Sequence, residues 1–449
     1  MKTEIKPMTD GSELRHILRF TLPLLAGNLF QQLYNIVDSV IVGKHLGYNA
    51  LAAVGATGSV TYFFYTLCIG LAVGIGILIA QSFGGGRLDD VKKLIANSAY
   101  VLGGFGIIVS IASALAAPML LKMLGTPDSI FDTAMGYMHI SCAGTAAVAA
   151  YNWINAVLRS LGDSKTPLIF LIIASILNVV LDILFVMVLE MGANGAAWAT
   201  ITAQGISAAG SIIFAFYKNP CFSLARTDAV PNNEIMAKCI RTGTPIALQN
   251  AMVSVSMIYL QRTANRFGDT VIAAYTATMR VEQLIQQPFS SLSSAVSTFA
   301  GQNTGAGKHD RVIKGYKGSM KTSAVFAVVM LAVFMAFSPV IIGFFVDEPE
   351  VIAIGASALR LSACFYIFLG TIHTTRGLLN GTGDVGYALI NGIAEVIGRI
   401  GFALILVQIS AVGYFAVWGT TCLTWLLTAV MSLMRYKSRF PHNSPKAEL

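Results

Sequence analysis

Two carboxylic acids lie inside stretches that are otherwise strongly apolar, and they have the clearest chemical potential of any residues in this chain. Asp38 stands in QQLYNIVDSVIVG, residues 31–43, and Asp182 stands in ILNVVLDILFV, residues 176–186. A charged side chain near the centre of a bilayer costs about 2.5 kcal/mol or more, so acids that persist there are usually functional. Both acids are therefore candidates for binding a cation or a proton.

Asp38 belongs to a polar face on one predicted helix. The members of this face follow the i, i+3, i+4, i+7 spacing, and they are Gln31, Tyr34, Asn35 and Asp38. Residues at this spacing lie along one side of an α-helix. Such a side is expected to face a protein interior or a water-filled cavity rather than lipid. Gln31 and Asn35 are predicted to line a substrate cavity or to make structural contacts.

Other apolar stretches of the first half contribute more oxygen atoms. Asn178 precedes Asp182 by one helical turn, which places an amide and a carboxylate on one face. Asn152 and Asn155 lie in the fourth stretch, and Thr200 lies in the sixth. A group of oxygens with two acids and no accompanying base suits a small cation or a proton. The alternative is a buried hydrogen-bond network that only holds the helices together.

The composition excludes a soluble globular protein. Of the 449 residues, 55% are hydrophobic and 12% are charged, and the mean hydropathy is +0.68. Soluble domains carry about 25% charged residues. The apolar stretches are long enough to cross a bilayer as helices and too long for barrel strands. We predict an all-α membrane protein with twelve transmembrane helices, near residues 16–42, 52–82, 94–118, 131–158, 167–190, 195–217, 241–261, 270–299, 320–346, 351–377, 386–408 and 412–434.

The distribution of basic residues predicts the orientation in the membrane. The net charge is +8, and of the 30 Lys and Arg residues 23 lie on the side of the chain termini and 4 on the opposite side. Basic residues accumulate on the cytoplasmic side of membrane proteins. Both termini are therefore predicted to be cytoplasmic, in a multi-pass protein of the cell (inner) membrane. The same distribution explains the positive charge without a nucleic-acid partner.

The two halves of the chain resemble each other at a constant offset. Gln81 falls on Gln302, and at the same offset Gly162-Asp163 falls on Gly383-Asp384. Each half contains six predicted helices, so both halves begin on the same side of the membrane and the internal repeat is parallel. The predicted parts are an N-terminal six-helix lobe (1–217), a cytoplasmic linker (218–240), a C-terminal six-helix lobe (241–434) and a cytoplasmic tail (435–449).

The charged residues of the second half differ in kind from those of the first. Glu395 and Arg399 are four residues apart, which is the spacing of an ion pair within one helix. Arg280 and Glu282 are too close in sequence to share a helix face. Two interpretations stay open for these four residues, a structural ion-pair network and a contribution to substrate binding.

No catalytic motif or metal-ligand spacing accompanies these features. The six cysteines form no CxxC pair, the six histidines form no metal-spaced pair, and no GxSxG occurs. We therefore expect neither enzymatic activity nor a tightly bound metal or cofactor.

Several separate segments resemble the prokaryotic multidrug and toxin extrusion (MATE) family. They are LPLLAGNLFQQLYNIVDSVIVGKHLGYNALAAVG, LRSLGDSKTP, LNVVLD, GAAWAT and GQNTGAGK, and they run through both halves. The resemblance implies two six-helix lobes and the export of amphipathic, cationic compounds in exchange for H⁺ or Na⁺. A transporter on a related fold, a flippase-like exporter of a lipid-linked or other amphipathic metabolite, is the alternative.

The resemblance also implies roles for the polar residues of the first half. In one branch of the family the cation site lies there, and its positions correspond to Asp38, Asn178, Asp182 and Thr200, with support from Tyr34, Asn152 and Asn155. Another branch uses acids on the seventh and tenth helices, where Val253 and Leu369 stand in this chain. The expected partners are small amphipathic substrates and membrane lipids, and the expected oligomeric state is a monomer.

Overall fold

A computed structural model of the chain describes residues 7–123 and 125–441. Within these ranges the secondary structure is helical and contains no β-strand. The last eight residues of the predicted tail, 442–449, and the first six of the predicted N-terminal lobe lie outside the described residues.

Twelve long helical segments follow one another through the described part of the chain. The first stretch, Glu13–Gly84, changes direction at Gly47 (φ 81°, ψ −176°), a conformation that favours glycine, so it forms α1 (13–46) and α2 (48–84). The others are α3 (Leu88–Met123), α4 (128–160, interrupted at Gly144 between Asp128–Ala143 and Thr145–Ser160), α5 (Lys165–Asp182), α6 (Gly192–Lys218), α7 (Asn233–Ala264), α8 (Asp269–Gly305), α9 (His309–Gly343), α10 (Pro349–Gly381), α11 (Gly386–Leu406) and α12 (Ala416–Arg439). The prediction of an all-α chain with twelve helices is confirmed.

Eight helices of the described part are long and apolar enough to cross a membrane, judged by length and composition alone. The four that do not meet this standard are α1, α4, α7 and α8. The two pieces of α4 have 16 residues each, and the other three helices carry more polar side chains. α1, α7 and α8 are therefore less apolar than a typical span, as expected for helices with a polar face.

The helices form two compact units. The first unit contains residues 7–10, Leu22–Ala251 and Gly301–Gly307, and the second contains Gly11–Thr21, Met252–Ala300 and residues 308–441. Three of the boundaries fall inside helices, since α1, α7 and α8 each contribute to both units. The lobe boundaries inferred from the repeat stay a prediction.

In the first unit, the segment between α6 and α7 is held against α3. The backbone N–H of Asn232 donates to Asn97 Oδ1 at 2.7 Å, and the Tyr100 hydroxyl donates to the Ala229 carbonyl at 2.9 Å. Cys221 and Phe222 of the same segment are buried in the apolar core. The segment therefore packs as part of the first unit.

In the second unit, an ion pair connects the end of α12 to the turn between α10 and α11. Arg435 Nε and Nη2 donate to the two oxygens of Asp384 at 2.7 and 2.9 Å. Two parallel hydrogen bonds between a guanidinium group and a carboxylate fix the relative orientation of the two side chains. The pair therefore fixes the last helix to a turn.

Helices α2 and α7 approach each other closely in the first unit. A Cβ atom placed on Gly70 would lie 2.3 Å from the Cα atom of Ala247, and one placed on Gly74 would lie 2.3 Å from the Cα atom of Gly243. Small residues four apart on both helices therefore allow contact between the two backbones, as in many membrane helix pairs.

We expect Gly70→Ala to destabilise the protein by about 1–3 kcal/mol, because the added methyl group has no space and the helices must separate. Gly58→Ala on the same helix is the matched control, since a Cβ atom there meets no atom within 4 Å. Thermal unfolding in detergent micelles measures both variants. Equal unfolding temperatures for the two variants would contradict the close packing of α2 on α7.

Candidate functional site

Helices α1 and α5 bring together the two acids that the sequence singles out. Asp182 is fully buried and Asp38 is half-buried. Their carboxyl groups lie within hydrogen-bonding reach of each other. Two ionised carboxylates this close repel each other, so a proton on one of the two groups or a cation between them would stabilise the arrangement.

The surroundings of the pair contain few alternative partners for Asp38. Asp38 Oδ1 makes no hydrogen bond to any residue in the described ranges. Tyr137, on the first part of α4, is close enough for the Asp38 charge to act on its hydroxyl group. The group therefore consists of two acids, with neutral phenol and amide side chains nearby.

Asn178 and Thr200 lie next to the pair and contact each other. Asn178 is buried one turn before Asp182 on α5, and its Nδ2 donates to Thr200 Oγ1 on α6 at 3.3 Å. Directly after Asp182 the chain continues as a π-helical turn, Ile183–Val188. Such turns are uncommon and occur frequently at functional sites. The local geometry of α5 therefore changes at the acid itself.

A small cavity lies beside these residues, between α1, α4, α5 and α6. Its wall combines polar side chains from four helices with small apolar ones. The Tyr34 hydroxyl lies within hydrogen-bonding reach of Gln31 and Gln204. The residues that line the cavity are Gln31, Tyr34, Tyr151, Leu171, Ala174, Ser175, Asn178, Thr200, Ala203 and Gln204.

Asn178 and Thr200 connect the cavity to the acid pair. Both belong to the cavity wall, and Asn178 is one turn from Asp182 on the same helix. A change in the position of α1 or α5 would alter both the distance between the acids and the shape of the cavity. The arrangement can therefore couple occupancy of the acid pair to occupancy of the cavity.

Besides the acid pair, three of the residues predicted in the first half do not line the cavity. Asn152 Nδ2 donates to the Val148 carbonyl of its own helix at 2.8 Å, and Asn155 is buried without lining the cavity. Asn35 is exposed, and its side chain contacts only Gln32 at 3.4 Å in the part of the chain described.

Sequence reasoning missed Tyr151 and Gln204, both of which line the cavity. A signal was available for each residue. Gln204 follows Thr200 by one turn, and Tyr151 precedes Asn155 by one turn. The helical spacing therefore extends each predicted polar face by one residue.

The charged residues of the second half form a separate cluster in the second unit. Arg399 Nη2 donates to Glu395 Oε1 at 2.8 Å, and Arg399 Nη1 donates to Ser256 Oγ at 2.5 Å. Arg376, which the sequence analysis did not single out, lies on α10 with its Nη2 3.6 Å from Glu395 Oε2 and 2.7 Å from Asn391 Oδ1. Glu395 is therefore shared by two guanidinium groups.

Arg280 and Glu282 have different surroundings, as their spacing on α8 predicts. Arg280 is exposed, whereas Glu282 is buried. Neither residue takes part in the cluster of Arg399, Glu395 and Arg376 through a hydrogen bond or an ion pair within the described residues.

The chain is similar to known transporters over nearly its whole length. Residues 23–184 and residues 245–405 each match the model of the MatE family. The two matches start almost as far apart in the sequence as they end. This nearly constant offset confirms the parallel repeat that the sequence predicts. Both halves of the chain therefore have the same family pattern.

Known bacterial proteins and a solved structure are similar to this chain over most of its length. The chain is 30% identical over 383 residues, 85% of each protein, to the probable multidrug resistance protein YpnP of Bacillus subtilis. It is 25% identical over 420 residues to the probable multidrug resistance protein NorM of Thermotoga maritima, covering 92% of this chain and 90% of that protein. The outward-facing structure of a multidrug resistance MATE family transporter matches with a TM-score of 0.90, 25% identity and 98% of both chains.

Proposed function

The chain belongs to the MatE family of membrane transporters, and we propose that it is a secondary active antiporter. In this proposal it exports amphipathic, cationic organic compounds in exchange for H⁺ or Na⁺ by alternating access. The name of the relative YpnP, a probable multidrug resistance protein, supports this cargo class. The observation that carries the exchange mechanism is the contact between the Asp38 and Asp182 carboxyl groups beside a polar cavity.

The proposed cation site consists of Asp38, Asp182, Asn178 and Thr200. Without a proton or metal ion, two carboxylates in contact repel each other and are poorly solvated. Binding of the cation removes this repulsion and allows α1 and α5 to come together. Tyr34 and the asparagines of α4 support the site in this proposal.

The proposed coupling runs through the shared cavity wall. When the cation enters from outside, closure of α1 on α5 changes the cavity and disfavours the bound cargo, which leaves outward. The coupling is reciprocal, so cargo bound from inside weakens cation binding by the same factor. The cation and the cargo therefore exclude each other, as antiport requires.

The proposal places the protein in the cell (inner) membrane as a monomer with both termini in the cytoplasm. Large apolar side chains are exposed along the helices, for example Ile108 at 65% and Leu115 at 77%. Such side chains suit contact with lipid. The proposed transporter needs no cofactor other than its coupling ion.

A flippase-like exporter of a lipid-linked or other amphipathic metabolite is the second candidate. The guanidinium groups of the half-buried Arg376 and the buried Arg399 favour it, because such groups bind phosphate and carboxylate headgroups well. Glu395 already pairs with both arginines, which is why we prefer the drug exporter. Competition by anionic amphiphiles against cationic cargo would support the second candidate.

Everted membrane vesicles test the proposed exchange. We expect a fluorescent amphipathic cation to accumulate in the vesicles when the lumen has the higher H⁺ or Na⁺ concentration, because the lumen corresponds to the cell exterior. The pH gradient and the Na⁺ gradient are imposed separately, and the one that drives accumulation identifies the coupling ion. Vesicles without the protein are the control. Accumulation that persists after both gradients are dissipated would contradict antiport.

A further inference from the structure

Glu282 is a buried acid that the proposed exchange does not use. It lies on α8 in the second unit, its side chain is 7% exposed, and the adjacent Val281 belongs to the apolar core of that unit. Glu282 Oε1 makes no hydrogen bond, and the carboxyl group forms no ion pair, with any residue that the structure describes. Burial of an ionised carboxylate without an ion-pair partner costs several kcal/mol.

Uncharged hydroxyl and thiol groups surround the Glu282 carboxyl group. Tyr275 comes from α8, Ser362 and Tyr366 come from α10, and Cys422 comes from α12. The hydroxyl groups of Tyr275 and Tyr366 have no hydrogen-bond partner among the described residues. These groups can interact with a neutral carboxyl group as donors or acceptors, whereas none of them supplies a compensating positive charge.

Arg399 on α11 is a charged group close enough to act electrostatically on Glu282. Its guanidinium group donates to Glu395 and to Ser256, so its charge is already compensated by another carboxylate. A metal ion bound at Glu282 would have one carboxylate ligand and would be repelled by this guanidinium group. A proton removes the carboxylate charge and needs no further ligand. The geometry therefore favours a proton over a metal ion.

We propose that the Glu282 carboxyl group, enclosed by α8, α10 and α12, is a proton-binding site of the second unit, separate from the acid pair of the first unit. The reaction is the addition of one proton to the carboxylate, which gives a neutral carboxylic acid. This inference does not depend on the exchange proposed for Asp38 and Asp182. If the coupling ion is H⁺, the protein binds protons in both halves of its repeat.

Infrared spectroscopy of the purified protein tests this site without a transport assay. The spectra are recorded in the Asp38→Asn/Asp182→Asn background, which removes the acid pair. We expect the C=O stretch of a protonated carboxyl group in this background and its loss when Glu282→Gln is added. Glu395→Gln, which alters an ion-paired acid of the same unit, is the matched control and should leave the signal in place.

A second measurement covers the case in which Glu282→Gln does not fold. The Asp38→Asn/Asp182→Asn protein, labelled with ¹³C-glutamate, keeps every side chain of the second unit. We expect the C=O stretch of its protonated carboxyl group to shift to lower frequency. A band that does not shift, a band that persists in folded Glu282→Gln, or the absence of the band from the background would overturn the proposal. None of these outcomes depends on whether the protein exports drugs.

Discussion

Asp38→Asn should strongly reduce gradient-driven export while the protein still folds and inserts. The amide has the size and hydrogen-bonding capacity of the acid, but it neither takes up a proton nor attracts a cation. Coupling free energies between two ligands are typically about 1–3 kcal/mol, so we expect export to fall by roughly 5- to 150-fold. The measurement is the initial rate of cargo accumulation in everted vesicles at matched expression.

Ser39→Ala is the matched control for this variant. Ser39 is adjacent to Asp38, is exposed, and donates only to the Asn35 carbonyl of its own helix within the described residues. Its removal should leave export almost unchanged. Full export by Asp38→Asn would refute the proposed mechanism, whereas loss of export in both variants would indicate a general defect of α1.

Asp182→Asn should have the same effect as Asp38→Asn, because the two carboxyl groups contact each other and bind one cation as a unit. The double variant should be little worse than either single variant, since the first substitution already removes the site. Multiplication of the two single losses in the double variant would show that the acids act independently.

The polar face of α1 was predictable from spacing alone, because four polar residues at helical intervals in an apolar stretch leave few alternatives. The contact between Asp38 and Asp182 was not predictable in this way. The two acids lie far apart in the sequence, with three whole helices between α1 and α5, and only the packing of α1 against α5 brings the carboxyl groups together. The residue types had placed the two acids in one oxygen-rich group, and the resemblance to a known family assigned both of them to one cation site.

The helices also differ in how far the sequence predicted them. The apolar stretches predicted all twelve helices, although only eight helices of the described residues are long and apolar enough to qualify as spans by themselves. The change of direction at Gly47 falls between two predicted spans. The interruption at Gly144 and the π-helical turn after Asp182 were not predicted. Tertiary packing, which a local pattern does not encode, selects these positions.

Residue spacing predicted only part of the charged cluster in the second unit. Glu395 and Arg399 are four residues apart, and the ion pair is present as that interval predicts. Arg376 lies near the end of a different helix, where basic residues usually face the cytoplasm, so the sequence did not connect it with Glu395. When the partner of a buried charge lies on another helix, the folded structure is needed to identify it.

Arg399→Met should destabilise the protein by about 3–5 kcal/mol, because removing one partner of a buried ion pair leaves the other charge uncompensated. Arg399 is 1% exposed, and both Glu395 and Ser256 would lose a hydrogen-bond donor. Arg376 remains 3.6 Å from Glu395, which should keep the loss toward the lower end of this range. Denaturant unfolding in detergent micelles measures the effect.

Two other substitutions are compared with Arg399→Met. Glu395→Gln keeps a hydrogen-bond acceptor but leaves the charges of Arg376 and Arg399 without a carboxylate, so its loss of stability should be comparable, whereas its loss of export should be smaller than that of Asp38→Asn. Arg280→Met removes an exposed guanidinium group and should change the free energy of unfolding by less than about 0.5 kcal/mol. An Arg399→Met protein as stable as Arg280→Met would mean that Arg376 alone compensates Glu395. Arg280→Met should therefore be the most stable of the three variants, because it leaves the buried cluster of Arg399, Glu395 and Arg376 intact.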